Sequence, residues 1–428
     1  MLRHSYISTT LLLLLTVFCA ATAGAAVHRK HAATATTAVA PHRAAKAVTH
    51  RAASRTARTS AKAAVPATTT RTVMIRGRRR VVVSRRISFE RFTASSFASD
   101  VSSLTMGDQT AGEVPEVRDA ALQALGNMNG TALAIDPNTG RILAMVNQKL
   151  ALSHGAEPCS TIKLTVALAA LEEGIIKRDT PVNLGGNYHL NLTEALAHSN
   201  NLYFETLGRS LGFERVKHYA NQFGLGELAG YNIPGEQLGT YPDQELPASL
   251  GGVGRMCSFG ESVSMTPLQL GALVSAIANG GTLYYLQHPQ SPEDIAMFKP
   301  RIKRMLNIAP LIPEIQDGMQ AAVQYGTARS LRANFRQFPV LGKTGTCSNN
   351  GTRYGWFASY ANTPMGRIVT VFFLEGGRPT FGPKAAELTG EFYRALWDHN
   401  YFVGKPSTPG IADPLTPALS LGPAGGGE

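Results

Sequence analysis

The sequence predicts a mixed α/β (α+β) fold, with a central antiparallel sheet flanked by helices and an all-helical lobe beside it. Three observations predict it. Two short apolar runs near residue 140 are split by turn-forming residues, the middle of the domain carries helix-like spacing, and strand-like runs return from residue 340. Strands at both ends of a domain with helices between them imply that the two ends share one sheet.

In chain order, Val117, Ala121 and Leu125 recur at helical spacing after Pro115, which suits a first helical turn. Thr131 to Ile135 and Arg141 to Val146 are separated by Asp136-Pro137-Asn138-Thr139-Gly140, so two antiparallel strands are expected there. A helix is expected from Ser160 to Glu173, with Leu164, Leu168 and Leu171 as its buried stripe and Gly174 as its stop. Residues 193–223 read as mostly helical, with Leu192, Leu196, Phe204 and Leu207 as anchors and Ser199 in a turn between two pieces. Thr266-Pro267 opens another apolar helix that runs to residue 279. Val340 to Lys343, Trp356 to Tyr360 and Ile368 to Leu374 read as strands, and Glu387 to Trp397 as a closing helix.

The ends of the chain are of another kind. Residues 1–26 hold Met1-Leu2-Arg3, a leucine run at 11–15 and small residues at 20–26, the pattern of a cleaved export signal or a retained anchor. Residues 27–90 are Ala, Thr, Arg and His with few large apolar side chains, and are expected to form a disordered basic linker. Of the 41 Lys and Arg, 16 lie in residues 1–89, which hold no Asp or Glu; the remainder carries 25 basic against 29 acidic residues, so the net +12 belongs to the tail. Such a tail in an exported chain points to anionic lipid or wall polymer rather than nucleic acid, or to a solvated spacer. Residues 91–112 read as a short connector, 113–400 as the folded domain and 401–428, rich in Pro and Gly, as a disordered tail.

Three signatures carry the chemistry: Ser160-Thr161-Ile162-Lys163, Ser199-Asn200-Asn201 and Lys343-Thr344-Gly345-Thr346. The first puts a hydroxyl and an amine on one helical face, within hydrogen-bond reach. The second adds a hydroxyl and an amide, and the third a cation beside two hydroxyls. This set can acylate, deliver a proton and hold a carboxylate. No His, Cys, Asp or Glu cluster has metal-ligand spacing, and no cofactor is expected.

The order and spacing of the signatures resemble the penicillin-binding transpeptidases, serine enzymes that cross-link peptidoglycan, and their relatives the serine β-lactamases. Further likeness lies in the 136–146 hairpin, Tyr231-Asn232-Ile233-Pro234-Gly235-Glu236, Thr266-Pro267-Leu268-Gln269, Gly326-Thr327-Ala328 and Gly355-Trp356-Phe357, over roughly residues 113–398. The resemblance implies a transpeptidase-like fold, peptidoglycan stem peptides as substrates and β-lactams as inhibitors; whether a glycosyltransferase partner is needed is left open. It implies Ser160 as nucleophile and Lys163 as a base kept neutral by a dry pocket and by Lys343. Ser199 would relay a proton, and Asn201 would hold Lys163 and the substrate amide. Lys343, Thr344 and Thr346 would bind the substrate carboxylate, the N–H groups of Ser160 and Thr346 would form the oxyanion hole, and Gly345 would let the substrate lie against the strand.

One departure is Cys159, where the family usually has glycine; it is expected to add a side chain at the cleft mouth. Without Cys19, the cysteines Cys159, Cys257 and Cys347 are odd in number, so at least one thiol stays free. Cys159 and Cys347 flank two signatures and either pair or simply fill tight space. The leading expectation is a D,D-transpeptidase or D,D-carboxypeptidase, exported and held periplasmic or extracytoplasmic. The alternatives are a class D-like serine β-lactamase, against which Asn201 and Phe223-Gly224-Leu225 argue, and a non-hydrolytic β-lactam-binding sensor or scaffold.

Overall fold

The computed structural model describes residues 68–75, 78–85 and 91–403. The expected signal at 1–26, most of the expected linker and the C-terminal tail from residue 404 lie outside the described residues. Within the stretch expected to lack structure, Thr68–Ile75 and Arg78–Arg85 pair as an antiparallel hairpin, a correction to that reading for these sixteen residues. The local cause is β-branched density: Thr68 to Thr70, Thr72, Val73 and Ile75 on one strand and Val81 to Val83 on the other are residues that favour extended backbone.

The domain is built on a five-stranded antiparallel sheet. Its strands are β1 (Gly130–Asp136), β2 (Arg141–Val146), β3 (Val340–Asn349), β4 (Thr352–Thr363) and β5 (Gly366–Gly376), in the spatial order β2-β1-β5-β4-β3. β1 pairs with β5, Val369 opposite Ile135, so the two ends of the domain meet in mid-sheet, as the strand distribution predicts. β3 is an edge strand.

Period-two alternation divides the core in two. Ala132, Ala134, Phe357 and Phe372 face one side, where helices α1 (Pro115–Leu125) and α9 (Gly382–Asp398) cover them. Leu133, Ile135, Trp356, Tyr360 and Val371 face the other, against α7 (Pro267–Asn279) and the helical lobe. A Cβ on Gly271 would lie 2.6 Å from Ile135, which shows how closely α7 rests on the sheet. α7 is buried almost throughout, and Thr266 with Gln269 forms a reciprocal capping box at its start.

The lobe holds α2 (Lys163–Glu172), α3 (Leu192–Ala197), α4 (Asn201–Leu211), α5 (Phe213–Gln222), α6 (Gly252–Phe259) and α8 (Ile312–Gln324). The helix expected from Ser160 differs at its start. Cys159–Ile162 is a 3-10 turn, and α-helix begins only at Lys163. In a 3-10 turn residues i and i+3 eclipse, so Ser160 and Lys163 lie one directly above the other on the same face.

The residues expected to be a connector are bound onto the domain. Asn129 donates its backbone N–H to the Ser96 carbonyl (2.9 Å), Ser96 Oγ donates to the Arg378 carbonyl (3.0 Å), and Asp108 pairs with Arg118 (2.8 Å). Arg118 also pairs with Glu113 (2.7 Å), which faces His288 Nε2 at 3.0 Å, so a buried ionic cluster ties this segment to the sheet.

Candidate active site

The site lies where the lobe meets the free edge of β3. All three signatures converge there. Lys163, the first residue of α2, is wholly buried, and the ring centroid of Phe204 lies 5.6 Å from its Nζ. Its Nζ lies 2.7 Å from Ser160 Oγ, 2.7 Å from Asn201 Oδ1, 3.2 Å from the Ser199 carbonyl and 3.2 Å from Ser199 Oγ. A neutral amine has two N–H donors and one lone pair. Asn201 Oδ1 and the Ser199 carbonyl accept only, so they take the two N–H groups and leave the lone pair to the Ser160 hydroxyl.

Electrostatics favour that neutral state. Burial first, and the charge of Lys343 second, hold the Lys163 ammonium well below its ordinary range. Lys343 is also fully buried, and burial lowers it to about 7. Its Nζ donates to Ser199 Oγ (2.8 Å) and to the Thr344 carbonyl (3.0 Å). Ser199 Oγ thus sits between the two lysines, at the place a proton shuttle would need.

Two residues of the site hold left-handed backbone. Cys159 has φ 51° and Ser199 has φ 54°, conformations that cost a non-glycine residue about 1 to 3 kcal/mol. Ser199 can hold it because Asn200 caps α4, accepting from the Tyr203 N–H (2.9 Å), and so fixes the turn from behind.

Cys159 corrects the expectation of a side chain at the cleft mouth. It is wholly buried and joined to Cys347 in a disulfide, with Cα atoms 5.5 Å apart; Cys257 is the free, buried thiol among the described residues. The bond links the residue before Ser160 to the residue after Lys343-Thr344-Gly345-Thr346.

Gly345 is required for a different reason from the one expected. A Cβ there would lie 2.8 Å from the Pro158 carbonyl oxygen and 3.2 Å from Thr161, so the turn bearing Ser160, part of the protein itself, makes the close approach. Thr344 also departs from expectation: it is 4% exposed and its hydroxyl lies 2.7 Å from Thr327 Oγ1. Thr346 is half-buried, and its Oγ1 accepts the Gly382 N–H at the start of α9 (2.8 Å).

Thr327 is a member of the site that sequence reasoning left without a role. Its N–H donates to the Ala197 carbonyl (3.0 Å) at the end of α3, and its hydroxyl meets Thr344, so it bridges the lobe and β3. Gly326-Thr327-Ala328 was visible as a family-like string, but nothing in it announces a bridge. Trp356 Nε1 donates to the Glu157 carbonyl (3.0 Å) and anchors the turn from the sheet side. Among the described residues no group of three or more His, Cys, Asp and Glu could hold a metal ion.

A family profile described as "Penicillin binding protein transpeptidase domain" matches residues 130–394. Stage V sporulation protein D of Bacillus subtilis (strain 168) is 30% identical over 258 residues, which cover 50% of this chain and 39% of that protein. The peptidoglycan D,D-transpeptidase MrdA of Acinetobacter baumannii is 25% identical over 343 residues, covering 63% of this chain and 50% of that one. The chain therefore spans half or less of the length of these relatives. Among solved structures, Pseudomonas aeruginosa PBP2 in complex with WCK 5153 superposes with a TM-score of 0.56 at 22% identity, over 69% of this chain and 75% of that one, a likeness of fold. The profile spans more than half of the sequence and covers the serine–lysine centre, so this chain belongs to the penicillin-binding protein transpeptidase domain family.

Proposed function

We propose that the chain is a serine D,D-transpeptidase, or D,D-carboxypeptidase, acting on D-Ala-D-Ala stem peptides of peptidoglycan. The observation that carries the reading is Lys163 Nζ, wholly buried and 2.7 Å from Ser160 Oγ, with its other neighbours arranged to leave a lone pair for the serine proton. Ser160 Oγ attacks the carbonyl of the penultimate D-alanine as its proton passes to Lys163. The negative charge on the tetrahedral oxygen falls to the N–H groups of Ser160 and Thr346, a donor pair of the kind worth about 3 to 4 kcal/mol per member. The proton then reaches the leaving amine through Ser199, which touches both lysines, and D-alanine departs. A second amine, or water, attacks the ester and restores the free serine.

Lys343 supplies the cation that draws in the terminal carboxylate, and Thr346 the hydroxyl nearest the opening. Thr344 acts from behind, by holding Thr327. In this reading the protein works outside the cytoplasm, where peptidoglycan is assembled, and residues 1–26 are its export signal or anchor. The basic segment after it contacts anionic lipid or wall polymer in this reading.

The test is a time course of the purified full chain with a fluorescent penicillin, followed by intact mass, with Ser160→Ala as control. A stable adduct on wild type alone supports the transpeptidase. Fast turnover to hydrolysed antibiotic would make the protein a β-lactamase, and absence of both adduct and hydrolysis would refute the reading.

A further inference from the structure

The Cys159–Cys347 disulfide joins the two segments that carry the oxyanion donors. The Ser160 N–H belongs to the peptide unit between Cys159 and Ser160. Thr346 directly precedes Cys347. The bond therefore connects the two sides of the pocket that receives the carbonyl oxygen, by the shortest covalent route the fold offers.

The rest of the nucleophile turn is fixed by other means. The Glu157 carbonyl accepts from Trp356 Nε1 (3.0 Å), the Pro158 carbonyl accepts from Thr161 Oγ1 (2.7 Å), and a Cβ on Gly260 would lie 2.5 Å from the Pro158 ring. These contacts hold residues on either side of Cys159. The Cys159–Ser160 peptide itself stands on left-handed backbone, which a cysteine does not adopt readily, and the disulfide holds its preceding residue against the strand. On the other side, β3 is an edge strand, with β4 on one flank and the cleft on the other, so its cleft-facing flank has no neighbouring strand to fix its distance from Ser160.

We propose that the Cys159–Cys347 disulfide is a positioning element for acylation. It sets the separation of the Ser160 and Thr346 N–H groups, so the protein acylates rapidly only in its oxidised form. The proposal rests on the reading of Ser160 as nucleophile. Cys159 and Cys347 touch no substrate in it and act through the backbone of their neighbours.

The experiment compares three forms of the full chain: oxidised, reduced with dithiothreitol and capped with iodoacetamide, and Cys159→Gly/Cys347→Ala. The variant also tests whether a residue that tolerates left-handed backbone can replace the bond. Acylation by a fluorescent penicillin is followed as the rate constant of the covalent step and, separately, as the dissociation constant of the preceding complex. Near-ultraviolet circular dichroism at the assay temperature reports the fold, and peptide mass locates the adduct and the capped cysteines.

The expected result is a loss of about tenfold or more in the covalent step for the capped and variant forms, in the range of an impaired oxyanion donor, with the dissociation constant little changed and the native spectrum retained. Reoxidation of reduced, uncapped protein should restore the rate. Equal covalent rates in the oxidised and capped forms would overturn the proposal, and so would a slow rate that accompanies loss of the native spectrum, because the bond would then be a staple of the fold. Recovery of the full rate by the variant would also overturn it, by showing that backbone conformation alone suffices. If the oxidised protein forms no adduct at Ser160, the reading of the nucleophile fails first, and the mass analysis distinguishes that failure from the others.

Discussion

Lys343 donates to Ser199 Oγ at 2.8 Å from one side while Lys163 approaches the same oxygen at 3.2 Å from the other. A single hydroxyl between two buried amines can keep only one of them charged without strong repulsion. Burial and its neighbour favour the neutral form of Lys163, and on the proposed reading Lys343 is the cation that meets substrate.

The first prediction follows from that division of roles. Removing the amine with Lys163→Ala should lower the acylation rate constant by about 10²- to 10⁴-fold, the range for loss of a positioned general base. Stopped-flow acylation checks it. A loss below tenfold would transfer the base role to another group.

The pH profile should be bell-shaped. Lys163 acts when deprotonated, and its lowered pKa makes activity rise through the acid limb. Lys343 acts when protonated, and with its pKa near 7 activity should fall as pH rises through the neutral range. Lys343→Arg keeps a positive charge at any working pH, so its alkaline limb should move upward by more than one pH unit, even at reduced maximal rate. kcat/KM against pH, for wild type and variant, is the measurement.

Gly345→Ala places a methyl 2.8 Å from the Pro158 carbonyl oxygen, backbone that cannot swing aside. The nucleophile turn must shift, at a stability cost of about 1 to 3 kcal/mol for an overpacked site. Activity should fall by more than the melting temperature suggests. Parallel melting and acylation measurements would show whether the two separate.

Thr327→Val removes the partner of a hydroxyl that is almost entirely buried. Leaving Thr344 Oγ1 unpaired should cost about 1 to 3 kcal/mol in urea unfolding and raise KM for a carboxylate-bearing substrate. Thr327→Ser retains the hydroxyl and should restore both.

Far from the cleft, Arg118 pairs with Asp108 and Glu113, whose side chains are 3% and 1% exposed. Arg118→Ala takes the guanidinium from two buried carboxylates, leaving Glu113 with His288 and the Met145 N–H and Asp108 with the Asn147 and Gln148 N–H groups, at an expected cost of about 3 kcal/mol. Denaturant titration checks this, and the adduct site on Ser160 should be unchanged in the fraction that folds.

Much of this architecture could be read from residue order. The 136–140 turn string between Leu133, Ile135 and Ile142 announces the β1-β2 hairpin, and Thr266-Pro267 announces α7. Ser160, Lys163, Ser199, Asn201 and Lys343 form three local strings whose order is informative, and the structure brings them within contact of one another. What stayed hidden depends on the third dimension. The switch to a 3-10 turn at Cys159 leaves no mark in side-chain spacing, because residues i and i+3 share a face in either helix. The reason for Gly345 lies in Pro158, distant in sequence, and the disulfide closes across 188 residues. α6 opens on Gly252 and Gly254, which read as loop, whereas α8 carries Ile312, Ile315, Met319 and Val323 at helical spacing, a stripe that residue order does hold.

The pairing of β1 with β5 has a consequence for how the chain comes to exist. Thr131 to Ile135 leaves the ribosome early, yet its partner, Val369 to Phe373, is made only after the whole helical lobe. Contacts between positions so far apart make folding slow, since loop-closure entropy must be met before the sheet rewards it. The first hairpin therefore waits with one strand edge open, and a nascent chain cut short before Gly366 would carry Ser160 and Lys163 but no completed sheet to hold them. Synthesis must pass the whole of β5 before the sheet behind Ser160 can close.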